Sequence, residues 1–159
     1  MIIEFIALTH QHGAILHQWL QLNHVREFWD DGDRDLEQVI THYLKTDETS
    51  RYLFYIDNIA VGYIQIYPIS STHRYAKLSN LARECSGIDF FIGNLNYLGK
   101  GLSGQVLTEF IANYSQNNPV IVDPIINNHK AIHIYQKIGF SKVSKFIENS
   151  KHYLLMVKP

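Results

Sequence analysis

The stretch LGKGLSGQVL, residues 98–107, places three glycines directly before apolar residues at helical spacing. Gly99, Gly101 and Gly104 form the pattern G-x-G-x-x-G. The first N–H groups of a helix lack internal partners and the helix dipole is positive there, so an anion can bind where glycine lets it approach the backbone. The pattern is equally typical of a tight turn without a ligand. The rest of the sequence must decide between the two.

Composition excludes several classes of protein. The chain has 159 residues, of which 46% are hydrophobic, and this predicts a single globular domain over residues 1–159. A formal net charge of -1 and scattered Lys and Arg residues give no basic surface for nucleic acid. Apolar runs are far shorter than the ~20 residues that span a membrane, and the first residues do not resemble a signal peptide. We expect a cytoplasmic protein, a monomer or homodimer, that binds neither nucleic acid nor membrane.

Hydrophobic periodicity predicts a mixed α+β fold. Asp35 and Gln38 predict a capping box at the start of a helix, and the pair Asp57-Asn58 predicts the turn of a β-hairpin. The segment 70–86 is predicted to be irregular. The element order βαα-ββ-β-α-β-α-ββ predicts a central mixed sheet, mostly antiparallel, with helices on both faces. Strands are predicted at 2–8, 51–57, 59–69, 87–93, 119–123, 140–147 and 152–158, and helices at 9–21, at 35–45, after the glycine turn and at 127–138.

This order tests two familiar phosphate sites. A dinucleotide-binding unit needs its first glycine directly after a strand and further βα units beyond its acidic residue. Here five residues separate the predicted strand 87–93 from Gly99, and only 36 residues follow the candidate acid, Asp123. A nucleotide P-loop needs G-x-x-x-x-G-K-[ST], but Gly101 stands where the magnesium-binding hydroxyl belongs. Neither site fits the sequence.

A third site does fit. The stretch LGKGLSGQVL resembles the pyrophosphate loop of the GNAT acyltransferases, [QR]-x-x-G-x-[GA] leading into a helix, with Gly101 as the first conserved glycine. Leu98 and Ser103 depart from the usual Gln or Arg and Gly or Ala. The stretch DPIINNHKAIHIYQKIGF resembles a second segment of that superfamily, D-P-x-x-x-N-x-x-A-I-x-x-Y-x-K-x-G-F. The resemblance implies a GNAT fold and acetyl-CoA as co-substrate.

The same resemblance implies roles for particular residues. Backbone N–H groups of the loop would hold the coenzyme pyrophosphate, and an N–H near the end of strand 87–93 would polarise the thioester carbonyl. Tyr135 would protonate the departing thiolate. The implied cofactor-binding residues are Phe91, Ile92, Gly99, Lys100, Gly101, Leu102, Ser103, Gly104 and Asn128.

Within the superfamily, the chain most resembles aminoglycoside 6'-N-acetyltransferases. The stretches HVREFWDD, VGYIQIY and GIDFFIGNLNYLGKGL carry this resemblance. It implies that Asp89 lies beside the reacting amine, orients it and accepts its proton, and that Asp123 contacts the sugar. Phe28, Trp29 and Gln65 would complete the substrate site.

Elementary chemistry is consistent with that assignment but leaves alternatives open. An aminoglycoside is a polycation, and many carboxylates fall in loops or at strand ends. A carboxylate within an apolar strand, such as Asp89, is costly without a partner or a task. Asp33 and Asp35 fit a solvated loop and a helix cap better than a substrate site. Trp29 fits core packing as well as substrate stacking, and Tyr135 fits a core position as well as a catalytic one.

Other functions also remain open. Siderophore N-acyltransferases, which acylate a hydroxylamine or lysine derivative, share the His and the aromatic-Trp pair of HVREFW, but typically have histidine where this chain has Asp89. A catalytically idle acyl-CoA-binding module is a further alternative. Pairs of histidines at 10 and 12 and at 129 and 133 lack a third ligand in register, so no metal is expected. Cys85 is interpreted as an ordinary thiol.

Overall fold

The computed structural model describes residues 1–81 and 83–159. Seven strands and six α-helices follow one another along the described part of the chain, with short 3₁₀ helices at His10–His12 and Leu95–Tyr97. The strands are β1 (Ile3–Ala7), β2 (Ser50–Ile56), β3 (Ile59–Ile69), β4 (Cys85–Ile92), β5 (Val120–Val122), β6 (Ser141–Glu148) and β7 (Lys151–Lys158). The helices are α1 (Gly13–Leu20), α2 (Asn23–Arg26), α3 (Leu36–Tyr43), α4 (Arg74–Leu78), α5 (Ser103–Tyr114) and α6 (His129–Lys137).

The strands form one hydrogen-bonded sheet in the order β1-β2-β3-β4-β5-β7-β6. β1 pairs with β2, β5 with β7, and β6 with β7, all antiparallel. β4 and β5 run parallel, with Ser86 opposite Val120 and Gly87 opposite Ile121. The predicted mixed and mostly antiparallel sheet is therefore confirmed.

Contacts between Cα atoms divide the chain into two units. The first contains Met1–Gln65 and Asp89–Gly101, and the second contains Ile66–Ile88 and Leu102–Pro159. Strands β3 and β4 each pass from one unit into the other. The assignment of 1–159 to one domain stays a prediction.

In the first unit, local sequence signals fix the element ends. Asp57 and Asn58 have φ of 48° and 66°, the left-handed conformation that a two-residue hairpin turn requires. The Asp35 carboxylate accepts from the backbone N–H of Gln38 over 2.8 Å, and the Gln38 side chain accepts from the Asp35 N–H over 2.9 Å, which is the predicted capping box. The core of this unit consists of Leu16, Trp19, Leu20, Val25, Val39, Tyr43, Leu53, Tyr63 and Phe91.

In the second unit, α5 buries one face and α6 ends at a glycine. Val106, Leu107 and Phe110 on α5 are fully buried, as their spacing predicts. After α6, Gly139 takes a φ of 104°, which L side chains rarely adopt. A second buried cluster consists of Ile69, Tyr75, Cys85, Ile121, Leu155 and Val157.

Two short helices depart from the sequence prediction. α4 lies within the segment 70–86 that the sequence predicts to be irregular, and α2 lies between the predicted helices 9–21 and 35–45, where no helix is predicted. α4 is only five residues long, so hydrophobic periodicity cannot reveal it; its start is stabilised by the His73 side chain, which accepts from the Tyr75 N–H over 3.1 Å. β4 begins two residues earlier than predicted, at Cys85.

No helix among the described residues is long and apolar enough to cross a membrane.

Candidate functional site

Asp89 and Gln65 lie together in the first unit. Asp89 is half-buried on β4, and Gln65 lies on β3, where its Nε2 donates to Asp89 Oδ2 over 2.9 Å. The half-buried carboxylate therefore has a hydrogen-bond donor, which offsets the cost of removing its charge from water. Two predicted substrate-binding residues are in direct contact, although they are 24 positions apart in sequence.

Tyr63 is a site neighbour that the sequence analysis did not identify. Its hydroxyl donates to Gln65 Oε1 over 2.6 Å, and its side chain is fully buried. The strand VGYIQIY places Tyr63 and Gln65 two residues apart, so both side chains point to the same face of the sheet. That spacing is the signal in the sequence that could have indicated this contact.

The aromatic loop residues behave differently from each other. Trp29 is half-buried, and its Nε1 donates to Tyr43 Oη over 2.9 Å. Its ring meets Phe91 edge-on at 4.9 Å between centroids. Trp29 thus packs against the core, while the neighbouring Phe28 remains 38% exposed.

Asp30 makes its shortest contacts within the acidic loop of residues 30–35. Asp30 forms an ion pair with Arg34 over 3.0 Å and accepts from the Gly32 N–H over 2.8 Å. Asp35 caps α3, as the sequence predicts. These contacts stabilise the loop itself.

Backbone contacts hold the end of β4 in place. The N–H groups of Gly93 and Asn94 both donate to the Val61 carbonyl over 2.9 Å, and His24 Nε2 donates to the Ile92 carbonyl over 2.7 Å. A Cβ on Gly93 would fall 2.0 Å from the Trp19 indole, so this position requires glycine. That Phe91 and Ile92 offer an N–H to a carbonyl stays a prediction.

The glycine loop follows on the chain. Gly99 and Gly101 have φ of 69° and 72°, and a Cβ added at either position would meet no atom within 4 Å. Glycine is required there by backbone conformation and not by crowding. The space beside both α-carbons is open, and Lys100 between them is exposed.

Helix α5 begins directly after this loop. No side chain caps its amino terminus at Leu102, and Ser103 is its first residue. Gly104 is half-buried and has space for a Cβ, which would meet the Ile138 side chain at 3.4 Å. The N–H groups of a first turn without a side-chain cap suit an anionic ligand.

Asp123 lies in the second unit with its own partner. It directly follows β5, and the Tyr75 hydroxyl donates to its Oδ2 over 2.8 Å. Burial raises the pKa of Asp123 above that of an ordinary carboxyl group, while the Tyr75 hydrogen bond opposes this shift. Burial likewise raises the pKa of Tyr75. Asp123 is therefore a carboxyl group that ionises less readily than usual.

A cation lies over the aromatic rings beside Asp123. The Arg74 guanidinium is 5.3 Å from the centroid of the Tyr75 ring and 5.0 Å from that of Phe146. It also pairs with Glu148 over 2.9 Å. Two aromatic rings and one carboxylate thus hold the positive charge of Arg74.

Two residues at α6 complete the predicted set. Tyr135 is 6% exposed, and its ring lies 5.4 Å from that of Phe140. Asn128 caps α6, since its side chain accepts from the Ala131 N–H over 3.2 Å. Both positions have a structural task, and their contacts with a coenzyme stay predictions.

Histidine and cysteine give no metal site in the described part of the chain. No group of three His, Cys, Asp or Glu side chains among the described residues could hold a metal ion. His129 and His133 are exposed on α6, and Cys85 is buried.

The chain resembles known proteins in sequence and in structure. A family model described as an acetyltransferase (GNAT) domain matches residues 9–147. Aminoglycoside N(6')-acetyltransferase type 1 of Klebsiella pneumoniae is 26% identical over 144 residues, covering 85% of this chain and 72% of the relative. An uncharacterized protein from Bacillus halodurans has a TM-score of 0.86 at 24% identity, covering 98% of this chain and 83% of the other. A structure of AAC(6')-Ib in complex with paromomycin and acetyl-CoA has a TM-score of 0.78 at 23% identity, covering 99% and 93%.

Proposed function

This chain belongs to the GNAT family of acetyltransferases, whose enzymes use acetyl-CoA as co-substrate, and we propose that it acetylates the 6'-amine of an aminoglycoside. Membership confirms the resemblance, the fold and the co-substrate that the sequence predicts. The chain is an N-acetyltransferase that takes its acetyl group from acetyl-CoA. An aminoglycoside as the acceptor is our proposal, and the 26% identical Klebsiella enzyme supports it.

The observation that carries the proposal is the carboxylate of Asp89. It is half-buried on β4 and bonded to Gln65, on the strands where the family resemblance expects the amine. A carboxylate there attracts an ammonium group, orients it and accepts its proton directly or through water. Transfer of the acetyl group straight from the coenzyme to the amine needs such a group, because only the neutral amine can attack the thioester carbonyl.

Asp123 supplies a second carboxyl group for a polycation. Its neighbourhood in the second unit already holds the Arg74 guanidinium against two aromatic rings and Glu148. Sugar amines are also cations at neutral pH, and carboxylates and aromatic faces attract ammonium groups. We assign substrate binding to Asp123, Phe28, Trp29 and Gln65, and amine orientation to Asp89.

The glycine loop is assigned to the coenzyme. Gly99 and Gly101 leave open space beside their α-carbons, and α5 begins with no side-chain cap. Backbone N–H groups in this stretch would bind the pyrophosphate, with Lys100 beside them. The assigned residues are Phe91, Ile92, Gly99, Lys100, Gly101, Leu102, Ser103, Gly104 and Asn128.

Tyr135 is proposed as the acid of the reaction. As the acetyl C–S bond breaks, its hydroxyl would give a proton to the coenzyme sulfur, while Asp89 takes the proton that the amine loses. A free thiol has a pKa of about 8.5 and a phenol of about 10, so the transfer is slightly uphill and its contribution is modest.

A thiol-release assay with acetyl-CoA tests the acceptor. We expect turnover with kanamycin, which carries a 6'-amine, and none with a matched 6'-hydroxyl aminoglycoside. Polyamines and N-hydroxylysine complete the panel, and Asp89→Asn is the control for enzyme-dependent release. Turnover of N-hydroxylysine without kanamycin would instead identify a siderophore-type acyltransferase. Binding of acetyl-CoA without turnover of any amine would identify a non-catalytic binding module.

A further inference from the structure

The amide of Gln65 joins Asp89 to a tyrosine of the core. Its Nε2 donates to Asp89 Oδ2 over 2.9 Å, and its Oε1 accepts from the Tyr63 hydroxyl over 2.6 Å. An amide turned by 180° exchanges its donor and acceptor ends. The Gln65 hydrogen bond to Asp89 therefore requires a second contact that keeps the amide from turning.

The Tyr63 hydroxyl is the donor at one end of this chain of hydrogen bonds. A phenol has a single proton, and here that proton goes to Gln65 Oε1. The amide oxygen is therefore engaged by Tyr63, and the NH₂ end of the same amide faces Asp89.

The ring of Tyr63 is fixed by its neighbours. The side chain is fully buried, and the ring stacks on that of Phe91 with 5.5 Å between centroids. The rings of Trp29 and Tyr43 meet it edge-on at 5.6 Å and 5.4 Å. Burial raises the pKa of Tyr63 far above its usual range, so the phenol keeps its proton. The hydroxyl is a permanent donor in a fixed position.

Three ionisable groups face this hydroxyl from three different elements. They are Tyr43 of α3, Arg51 of β2 and Asp89 of β4. Tyr43 shares the surroundings of Tyr63 but its hydroxyl lies 3.5 Å from Asp30 and receives the Trp29 Nε1–H. It is therefore a matched buried tyrosine whose hydroxyl is committed to other partners.

We propose that Tyr63 is a positioning residue: its hydroxyl holds the Gln65 amide with the NH₂ group toward Asp89. The consequence for catalysis rests on the proposed role of Asp89. An amide N–H stabilises the ionised carboxylate, whereas a reversed amide would set an oxygen against it and favour the protonated form. Tyr63 thus favours the ionised form of Asp89 and orients its Oδ2.

A titration of the carboxyl ¹³C resonances tests this without any turnover. The Asp89 signal is assigned by its loss in Asp89→Asn. We expect Tyr63→Phe, which keeps the ring and removes the hydroxyl, to move the midpoint of the Asp89 titration upward by roughly one pH unit. Tyr43→Phe should leave that midpoint unchanged.

A double variant separates action through Gln65 from any other effect. In a Gln65→Met background the amide is gone, so adding Tyr63→Phe should cause no further change in the Asp89 midpoint. An unchanged midpoint in Tyr63→Phe, or an equal change in the Gln65→Met background, would overturn the inference. If Tyr63→Phe does not fold, Tyr63→Met also removes the hydroxyl, and the same upward change is required of it.

A kinetic measurement adds the catalytic consequence. With the best acceptor amine, Tyr63→Phe should lower kcat/KM by roughly tenfold at a pH below the Asp89 midpoints of both the wild type and the variant. The KM for acetyl-CoA should stay unchanged. If no amine of the panel is acetylated, the proposed function fails but the ¹³C result for Asp89 still stands. If the enzyme is active and the Asp89 midpoint is unchanged in Tyr63→Phe, only the positioning role of Tyr63 fails.

Discussion

Replacing Gly101 with Ala and with Asn separates the fold of the glycine loop from its ligand. Gly101 has a φ of 72°, where a Cβ costs about 1–2 kcal/mol for most L residues. A Cβ added at this position would meet no atom within 4 Å, so crowding in the free protein adds nothing. Asn tolerates the left-handed conformation better than Ala.

The expected result has two parts. For a chain of 159 residues, the Ala variant should melt about 2–8 °C below the wild type, and the Asn variant should lose less. Both variants carry a Cβ into the open space where a pyrophosphate would approach the backbone, so both should bind acetyl-CoA at least about tenfold more weakly, a loss of about 1.4 kcal/mol.

Calorimetric titration with acetyl-CoA and thermal melting measure the two effects on the same samples. Gly139→Ala is the control, since Gly139 also has a positive φ, of 104°, but follows α6 rather than the loop. It should lower the melting temperature and leave acetyl-CoA affinity intact. Wild-type affinity in Gly101→Asn would refute the assignment of the pyrophosphate to this loop.

Three further substitutions test individual side chains. Asp89→Asn should lower kcat/KM by about 10²–10⁴-fold without changing acetyl-CoA affinity, because it removes both the charge that aligns the amine and the proton acceptor; a loss below tenfold in steady-state assays would contradict that combined role. Tyr135→Phe keeps the ring packing and should lower kcat severalfold with an unchanged melting temperature, and equal single-turnover rates at every pH would return Tyr135 to a purely structural role. Burial raises the pKa of Asp123, so the folded state favours its protonated form and loses stability as pH rises above the usual carboxyl range. Asp123→Asn should remove that loss, seen as a higher urea midpoint at pH 7 than the wild type, and a lower midpoint would show that the ionised carboxylate is stabilising.

Local features of the fold could be predicted because local chemistry determines them. The Asp35 capping box, the Asp57-Asn58 turn and the glycine after α6 depend on residues at most four positions apart. Side-chain oxygens near a helix start, and residues that tolerate positive φ, favour these structures through local contacts alone. α4 escaped because a single turn has no period to detect, and its cap is a histidine rather than one of the usual N-cap residues.

The contacts of the candidate site could be predicted only in part. The resemblance indicated Gln65 and Asp89 separately, but their hydrogen bond depends on the register between β3 and β4, which alternation of apolar residues does not give. Tyr63 resembles one more aromatic core residue in the sequence, and its burial agrees with that. Its ring contact with Phe91 joins strands β3 and β4, so it appears only when the sheet is formed.

The partner of Asp89 bears on what this carboxylate contributes to the reaction. A stronger base would need surroundings that disfavour its charge, such as burial without a donor. Gln65 does the opposite, since its N–H stabilises the ionised form, and the Tyr63 hydroxyl holds the amide in that orientation. Asp123 shows the contrasting case, in which burial outweighs a phenol donor and the pKa rises. An ammonium substrate arrives charged at neutral pH, so an ionised carboxylate held in a fixed direction attracts and aligns it before any proton moves. The surroundings of Asp89 therefore favour alignment of the amine over basicity as the larger part of its contribution.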